Sequence, residues 1–198
     1  MQKRVFIIHG WSGYPKEGWF PWLKNELRAR DIRVNVPKMP HADRPKINEW
    51  VSQLKKLVGK TDENTFFVGH SIGCQTILRY LETLSGNQKI GGAVFVAGWF
   101  TLVNLETSEE EKIAKPWLKK PINVSKIKKQ LNKVVVIFSD NDSVVPQENQ
   151  KIFKQKLGAK IIIEHKKGHF SGNDGIKKLP AALKALLQMI EKNYAKRK

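Results

Sequence analysis

Residues 65–73 read Thr-Phe-Phe-Val-Gly-His-Ser-Ile-Gly, a short β-rich run that ends in Gly69-x-Ser71-x-Gly73. Behind it Cys74, Ile77, Leu78, Leu81 and Leu84 recur at helical spacing. A chain that passes from strand to helix in so few residues must turn sharply. Strand and helix then run so close together that glycine is wanted two residues to either side of Ser71. Side-chain size sets that spacing, and Ser71 is left at the tip of the turn with its hydroxyl exposed. The pentapeptide alone is weak, and its place at a strand-to-helix junction is what gives it meaning.

Around this turn, β-like runs at 4–8, 32–36, 65–68, 93–97, 134–138 and 160–164 alternate with helix-like stretches at 19–30, 47–58, 71–84, 147–157 and 176–191. Such alternation predicts an α/β fold, a parallel sheet covered by helices on both faces. In the last helix Leu179, Leu183, Leu186, Leu187 and Ile190 share one stripe, a core face. At 198 residues the chain fits one domain, 1–198. The stretch 99–133 breaks the rhythm, because it is longer than one crossover helix needs and carries Glu109-Glu110-Glu111 and then Pro116-Trp117. It reads either as a small lid or rim over a site or as a solvated excursion, with Glu106 to Glu111 fitting the acidic first turn of a helix.

A net charge of +18 is the compositional outlier. The basic residues run from Lys3 to a Lys196-Arg197-Lys198 tail that is expected to fray, with no nucleic-acid motif among them. A lysine-rich surface is preferred to specific nucleic-acid binding. Apolar runs such as 5–8 and 134–138 are far too short for a membrane span, and the first does not make a signal-peptide core. The single cysteine, Cys74, falls on the buried side of the helix after the turn and reads as a core residue, so a cytoplasmic protein is expected. His9, His41, His70, His165 and His169 have no metal-type spacing, so neither a metal nor a cofactor is expected.

A serine hydroxyl becomes a nucleophile only when a base takes its proton and a third group steadies that base. On a strand–turn–helix of this kind the acid and then the histidine follow the serine, each after a later strand. The run 133–138 ends in Ser139-Asp140-Asn141-Asp142, and 161–164 ends in His165-Lys166-Lys167-Gly168-His169. Asp142 and Asp140 compete for the acid; Asp142 lies deeper in its loop and is preferred, Asp140 being suited to bracing a turn. His169 and His165 compete for the base; His169, after Gly168 in a loop free to reach Ser71, is preferred. The oxyanion of a tetrahedral intermediate needs two N–H groups. Ile72, directly after Ser71, supplies one, and Trp11 in the glycine-rich corner His9-Gly10-Trp11-Ser12-Gly13 supplies the other. His9 and His70 read as hydrogen-bonding residues of the frame, and Trp11, Trp19 and Trp22 as either pocket walls or core.

Taken together, His9-Gly10-Trp11, Met39-Pro40 before a helix with Trp50, Gly69-His70-Ser71-Ile72-Gly73, Pro116-Trp117, Asp142 to Pro146 and Gly168-His169-Phe170 resemble the α/β-hydrolase superfamily. Within it the chain is similar to the small serine hydrolases of the retinoblastoma-binding protein 9 type, almost end to end. The resemblance implies a three-layer α/β/α sandwich whose six-stranded parallel sheet has the order 2-1-3-4-5-6. It also implies a triad of Ser71, Asp142 and His169, and hydrolysis of a small ester or amide without a cofactor. Binding to the retinoblastoma protein is not expected, because the L-x-C-x-E peptide is absent. The alternative to an enzyme is a non-catalytic binding or scaffold protein that uses its basic surface; within enzymes, it is an acyltransferase.

Overall fold

Valine-, isoleucine- and phenylalanine-rich strands with both faces buried require helices on both sides, and the computed structural model has them. It describes residues 2–85, 88–131 and 133–195; the basic tail at 196–198 lies outside the described residues. In chain order the elements are β1 (Arg4–Ile8), α1 (Phe20–Arg28), β2 (Arg33–Asn35), α2 (Ile47–Val58), β3 (Thr65–His70), α3 (Ile72–Thr83) and β4 (Gly92–Val96). These are followed by α4 (Ser108–Lys119), α5 (Val124–Gln130), β5 (Val134–Ser139), α6 (Glu148–Leu157), β6 (Lys160–Glu164) and α7 (Pro180–Ala195).

All six strands run parallel in the order β2-β1-β3-β4-β5-β6. Helix α1 packs with α7, while α2, α3, α5 and α6 pack in succession on the other side, giving an α/β/α sandwich. The strand order reverses between β1 and β3, so the loops beyond those two strands part and leave a crevice at their carboxyl ends. The register sets what meets there. Ile8 lies beside Gly69, which brings His9 and Gly10 next to His70 and Ser71. Ser139 lies beside Glu164, so the loops after β5 and β6 leave the sheet side by side.

The core runs through Val5, Ile7, Phe67, Val94, Val136 and Leu78, all fully buried, with Trp50 on the buried face of α2. Truncating a side chain such as Trp50 to alanine would cost about 3–5 kcal/mol. Helix α7 differs from the sequence expectation in its start and its buried face. It begins at Pro180, a residue suited to a first turn because it has no N–H to leave unpaired. Leu179 just before it, Leu186 and Ile190 are buried as expected, together with Ala182, Ala185 and Met189, while Leu183 and Leu187 are only half-buried at the edge.

Residues 99–133 carry α4 and α5. The acidic run is the first turn of α4: Glu110 N–H donates to Thr107 Oγ1 and Thr107 N–H returns to the Glu110 carboxylate, a capping box. At its other end α4 is pinned by Trp117, whose indole donates to Pro45 O at 3.0 Å, and by Arg79 of α3, which donates to the carbonyls of Trp117 and Lys120. Among the described residues no helix is long and apolar enough to cross a membrane.

Candidate active site

Ser71 sits at φ 50° and ψ −118°, a conformation disfavoured for a residue with a side chain and costing about 1–3 kcal/mol. The surroundings impose it. A Cβ on Gly73 would lie 2.3 Å from Ile8 O, and one on Gly69 would lie 2.8 Å from Cys74 N. The two glycines let α3 start against the ends of β1 and β3, and Ser71 N–H donates to Val96 O of β4 at 2.9 Å. Cys74, one turn along, is fully buried, and burial pushes its thiol pKa up, as suits an inert core residue.

Ile72 is the first residue of α3, where backbone N–H groups have no intrahelical acceptor. Across from it His9 is fully buried. Its Nε2 accepts from Met39 N–H at 3.1 Å, so its Nδ1 carries the proton and donates to Gly10 O at 2.8 Å. Gly13 N–H donates to the same carbonyl at 3.1 Å. In a trans peptide the C=O and N–H point opposite ways; pinning Gly10 O toward His9 therefore turns Trp11 N–H away from it. Trp11 and Ile72 both line the cleft that holds Ser71, and among the described residues neither N–H has a protein acceptor.

Asp142 and His169 meet as the sequence suggested: His169 Nδ1 lies 2.9 Å from Asp142 Oδ2. Asp142 Oδ1 also accepts from the N–H groups of Val144 and Val145 at 2.9 and 3.0 Å. Burial would raise the Asp142 pKa, but the His169 ring and those two N–H groups outweigh it and hold the carboxyl below its usual range. The rejected residues also pair, with His165 Nδ1 2.6 Å from Asp140 Oδ2 and Lys166 N–H on Asp140 Oδ1 at 2.8 Å. Asp140 thus braces the turn.

The loop carrying His169 is tied down, in contrast to the free loop expected from Gly168. Lys167 N–H donates to Ser139 Oγ at 2.9 Å, Gly168 N–H to Asn141 Oδ1 at 2.9 Å, and the carbonyl of His169 accepts from His70 Nε2 at 2.7 Å. The sequence names His70 as a hydrogen-bonding residue of the frame, though not as the partner of this loop, and gives no such role to Ser139 or Asn141. The signal was there: a histidine in an otherwise apolar buried strand must find a partner for its ring nitrogens.

Ser71, His70 and His169 line one cleft of about 510 Å³, within the range for small-molecule sites. Its apolar lining comes from Ile72, Trp99, Leu102, Leu105, Ile113 and Val144. Four of these lie in the 99–133 stretch, so that stretch shapes the cleft. An exposed ion pair, Arg44 to Glu109 at 3.2 Å, links α4 to the loop before α2. Of the tryptophans left open, Trp11 lines the cleft, Trp19 is core, with its indole on Phe170 O, and Trp22 is partly buried against the core. The Ser71 hydroxyl makes no hydrogen bond among the described residues; such contacts often tighten only when substrate binds.

Known proteins are similar to this chain. The family model described as serine hydrolase matches residues 5–188. YdeN of Bacillus subtilis is 31% identical over 193 residues, covering 97% of this chain and 98% of YdeN. Its crystal structure superposes with a TM-score of 0.88 at 29% identity, over 96% of this chain and 100% of that one. The rat serine hydrolase RBBP9 is 22% identical over 174 residues, 86% of this chain and 89% of that protein. A more distant likeness, of fold alone, is Est1E of Butyrivibrio proteoclasticus, with a TM-score of 0.73 at 14% identity over 96% of this chain and 90% of that one. With its strand-to-helix turn at Ser71, its sheet order and this match over nearly its whole length, the chain belongs to the serine hydrolase family, on an α/β-hydrolase fold.

Proposed function

We propose that the protein hydrolyses small esters or amides through an acyl-enzyme, with Ser71 as nucleophile, His169 as base and Asp142 as the acid that holds it. The observation that carries this reading is the 2.9 Å contact between His169 Nδ1 and Asp142, placed in the same cleft as a serine on a strained turn. A His ring whose Nδ1–H is taken by a carboxylate has Nε2 free to accept a proton.

Ser71 Oγ attacks the carbonyl carbon while its proton passes to His169 Nε2. Asp142 stabilises the imidazolium that forms, without itself taking the proton. The carbonyl oxygen becomes an oxyanion and accepts hydrogen bonds from the N–H groups of Trp11 and Ile72. Collapse breaks the bond to the alcohol or amine, which leaves with the proton from His169, and the acyl group stays on Ser71. Water attacks next, giving its proton to His169, and the carboxylic acid departs as Ser71 recovers its hydrogen. The apolar part of the cleft lining favours an apolar acyl group of modest size, and residues 99–133 act as its rim.

Covalent labelling by a fluorophosphonate, read by intact mass, tests this. Labelling should be stoichiometric in the native protein and lost in Ser71→Ala and His169→Ala. A folded native protein that takes no label would refute the reading.

A further inference from the structure

His70 lies between the two halves of the site. It precedes Ser71 in the chain, it is 4% exposed, and its ring is surrounded by Trp19, Phe20 and His169 at centroid distances of 6.3, 6.1 and 5.2 Å. Its Nε2 is 2.7 Å from the main-chain carbonyl of His169. A carbonyl can only accept, so Nε2 carries a proton. Nδ1 is buried without a partner, and a Cβ added to Gly10 would lie 2.9 Å from it. On one side, then, the ring touches the loop that presents Trp11, and on the other it holds the loop that presents His169.

We propose that His70 is a positioning residue for the base: its Nε2–H grips the His169 carbonyl and keeps the His169 ring seated between Asp142 and Ser71. The inference rests on the triad reading for its consequence, but not for its geometry. A second protonation of the ring would put an N–H on Nδ1, against Gly10 and with nothing to accept it, so the residue serves as a neutral donor. Burial first, and the nearby His169 second, push its pKa down to about 3; the His169 carbonyl, Asp142 and Asp174 oppose this without overcoming it. Neutrality has a use, since the imidazolium formed on His169 during attack then meets no second cation 5.2 Å away. His9 and His70 are therefore neutral rings of opposite tautomer, one fixing the Trp11 peptide and the other fixing the base.

The test pairs two substitutions with one measurement on the native protein. His70→Phe keeps an aromatic ring and removes the donor, whereas His70→Gln keeps an N–H near the position of Nε2. For hydrolysis of a p-nitrophenyl ester, His70→Phe should lower kcat by about 10- to 100-fold, the scale of a displaced catalytic group, with KM changed by less than about twofold. His70→Gln should recover most of the loss. In the native protein, ring ¹⁵N NMR from pH 5 to 8 should show His70 as the neutral Nε2–H tautomer throughout.

A His70 imidazolium at pH 6, an Nδ1–H tautomer, or a His70→Phe enzyme with native kcat would overturn the proposal, as would a folded His70→Gln enzyme as impaired as His70→Phe. If His70→Phe does not fold, the native spectrum and the glutamine variant still decide. If native Ser71 takes no fluorophosphonate, the triad reading fails while the tautomer of His70 stands or falls by its own spectrum.

Discussion

Two Asp–His pairs bridge the same two loops, and the shorter one is not the one at the cleft. Asp140 and His165 approach to 2.6 Å with side chains 41% and 84% exposed, whereas Asp142 and His169 sit at 2.9 Å, 2% and 22% exposed. Distance does not separate the pairs; surroundings do. The outer carboxylate faces water, which screens its attraction for the ring. The inner one is stripped of water and takes two backbone N–H groups as well as the imidazole, so its charge is both fixed in place and felt strongly by His169. A carboxylate orients an imidazole and stabilises its cation far more strongly under the second set of conditions.

The widest separation between the pairs is expected from Asp142→Asn set against Asp140→Asn. With an amide at 142 whose oxygen stays on the Val144 and Val145 N–H groups, an NH2 faces His169 Nδ1, so the Nδ1–H tautomer is no longer held and the imidazolium loses its counter-charge. Hydrolysis of a p-nitrophenyl ester should fall on the order of 10³- to 10⁴-fold in kcat. Equal losses in the two variants would erase the distinction drawn here.

The inner pair was legible in the sequence because chain order and strand ends are properties of the backbone plan. A serine at a strand-to-helix turn, an acid after a later strand and a histidine after the last one can be read from periodicity and glycine spacing. The sheet order was implied by the resemblance to the α/β-hydrolase superfamily, and the acidic run 106–111 pointed to the first turn of α4, though not to its Thr107–Glu110 capping box. Of the bracing of the loops, only the fitness of Asp140 for a turn could be read. Ser139 and Asn141 lie in the same run of small polar residues, and only the register of Ser139 beside Glu164 decides which N–H each one meets. In α7 the expected stripe held at Leu179, Leu186 and Ile190 but not at Leu183 and Leu187, because Ala182 and Met189 face the sheet more squarely, and burial there follows angle rather than side-chain size.

Acid should weaken the buried side of the comparison first. The folded-state pKa of His70 is pushed down to about 3 from an ordinary 6.5. Between those values the unfolded chain binds a proton that the folded chain does not, so stability rises with pH through this window and falls as pH drops below 6.5. The slope from this residue alone approaches 1.4 kcal/mol per pH unit in mid-window, and His9, whose pKa burial also lowers, acts in the same direction. Asp142, with its pKa held below the carboxylate range, adds a further loss only as pH falls through its folded value. Urea unfolding at pH 7, 6, 5 and 4 should show the decline, flattened in His70→Phe. A stability independent of pH above 4 would mean that His70 is not buried as a neutral ring.

Loosening the loop without touching either aspartate should fall between these extremes. Ser139→Ala with Asn141→Ala removes the acceptors for Lys167 and Gly168 N–H while leaving the 2.9 Å contact of Asp142 with His169 available. A drop of about tenfold in kcat with little change in KM is expected, since a modest displacement of the base costs rate more than binding. A native kcat would show that His70 and Asp142 suffice to seat His169.

The smallest effect should come from the outer pair itself. The Lys166 N–H and the His165 ring hold Asp140 below the usual carboxylate range, but its carboxylate is open to water, and the His165 ring is more exposed still. Exposed pairs of this kind contribute little and are screened by salt. His165→Asn should therefore leave kcat within about twofold of native, and 0.5 M sodium chloride should shrink even that difference. Asp140→Asn should cost slightly more, because it also weakens the hold on Lys166 N–H, two residues before the Gly168 contact. If His165→Asn instead matched Asp142→Asn, the exposed pair would be transmitting its orientation through Lys166 to His169. Burial would then no longer explain why two such similar contacts differ in consequence.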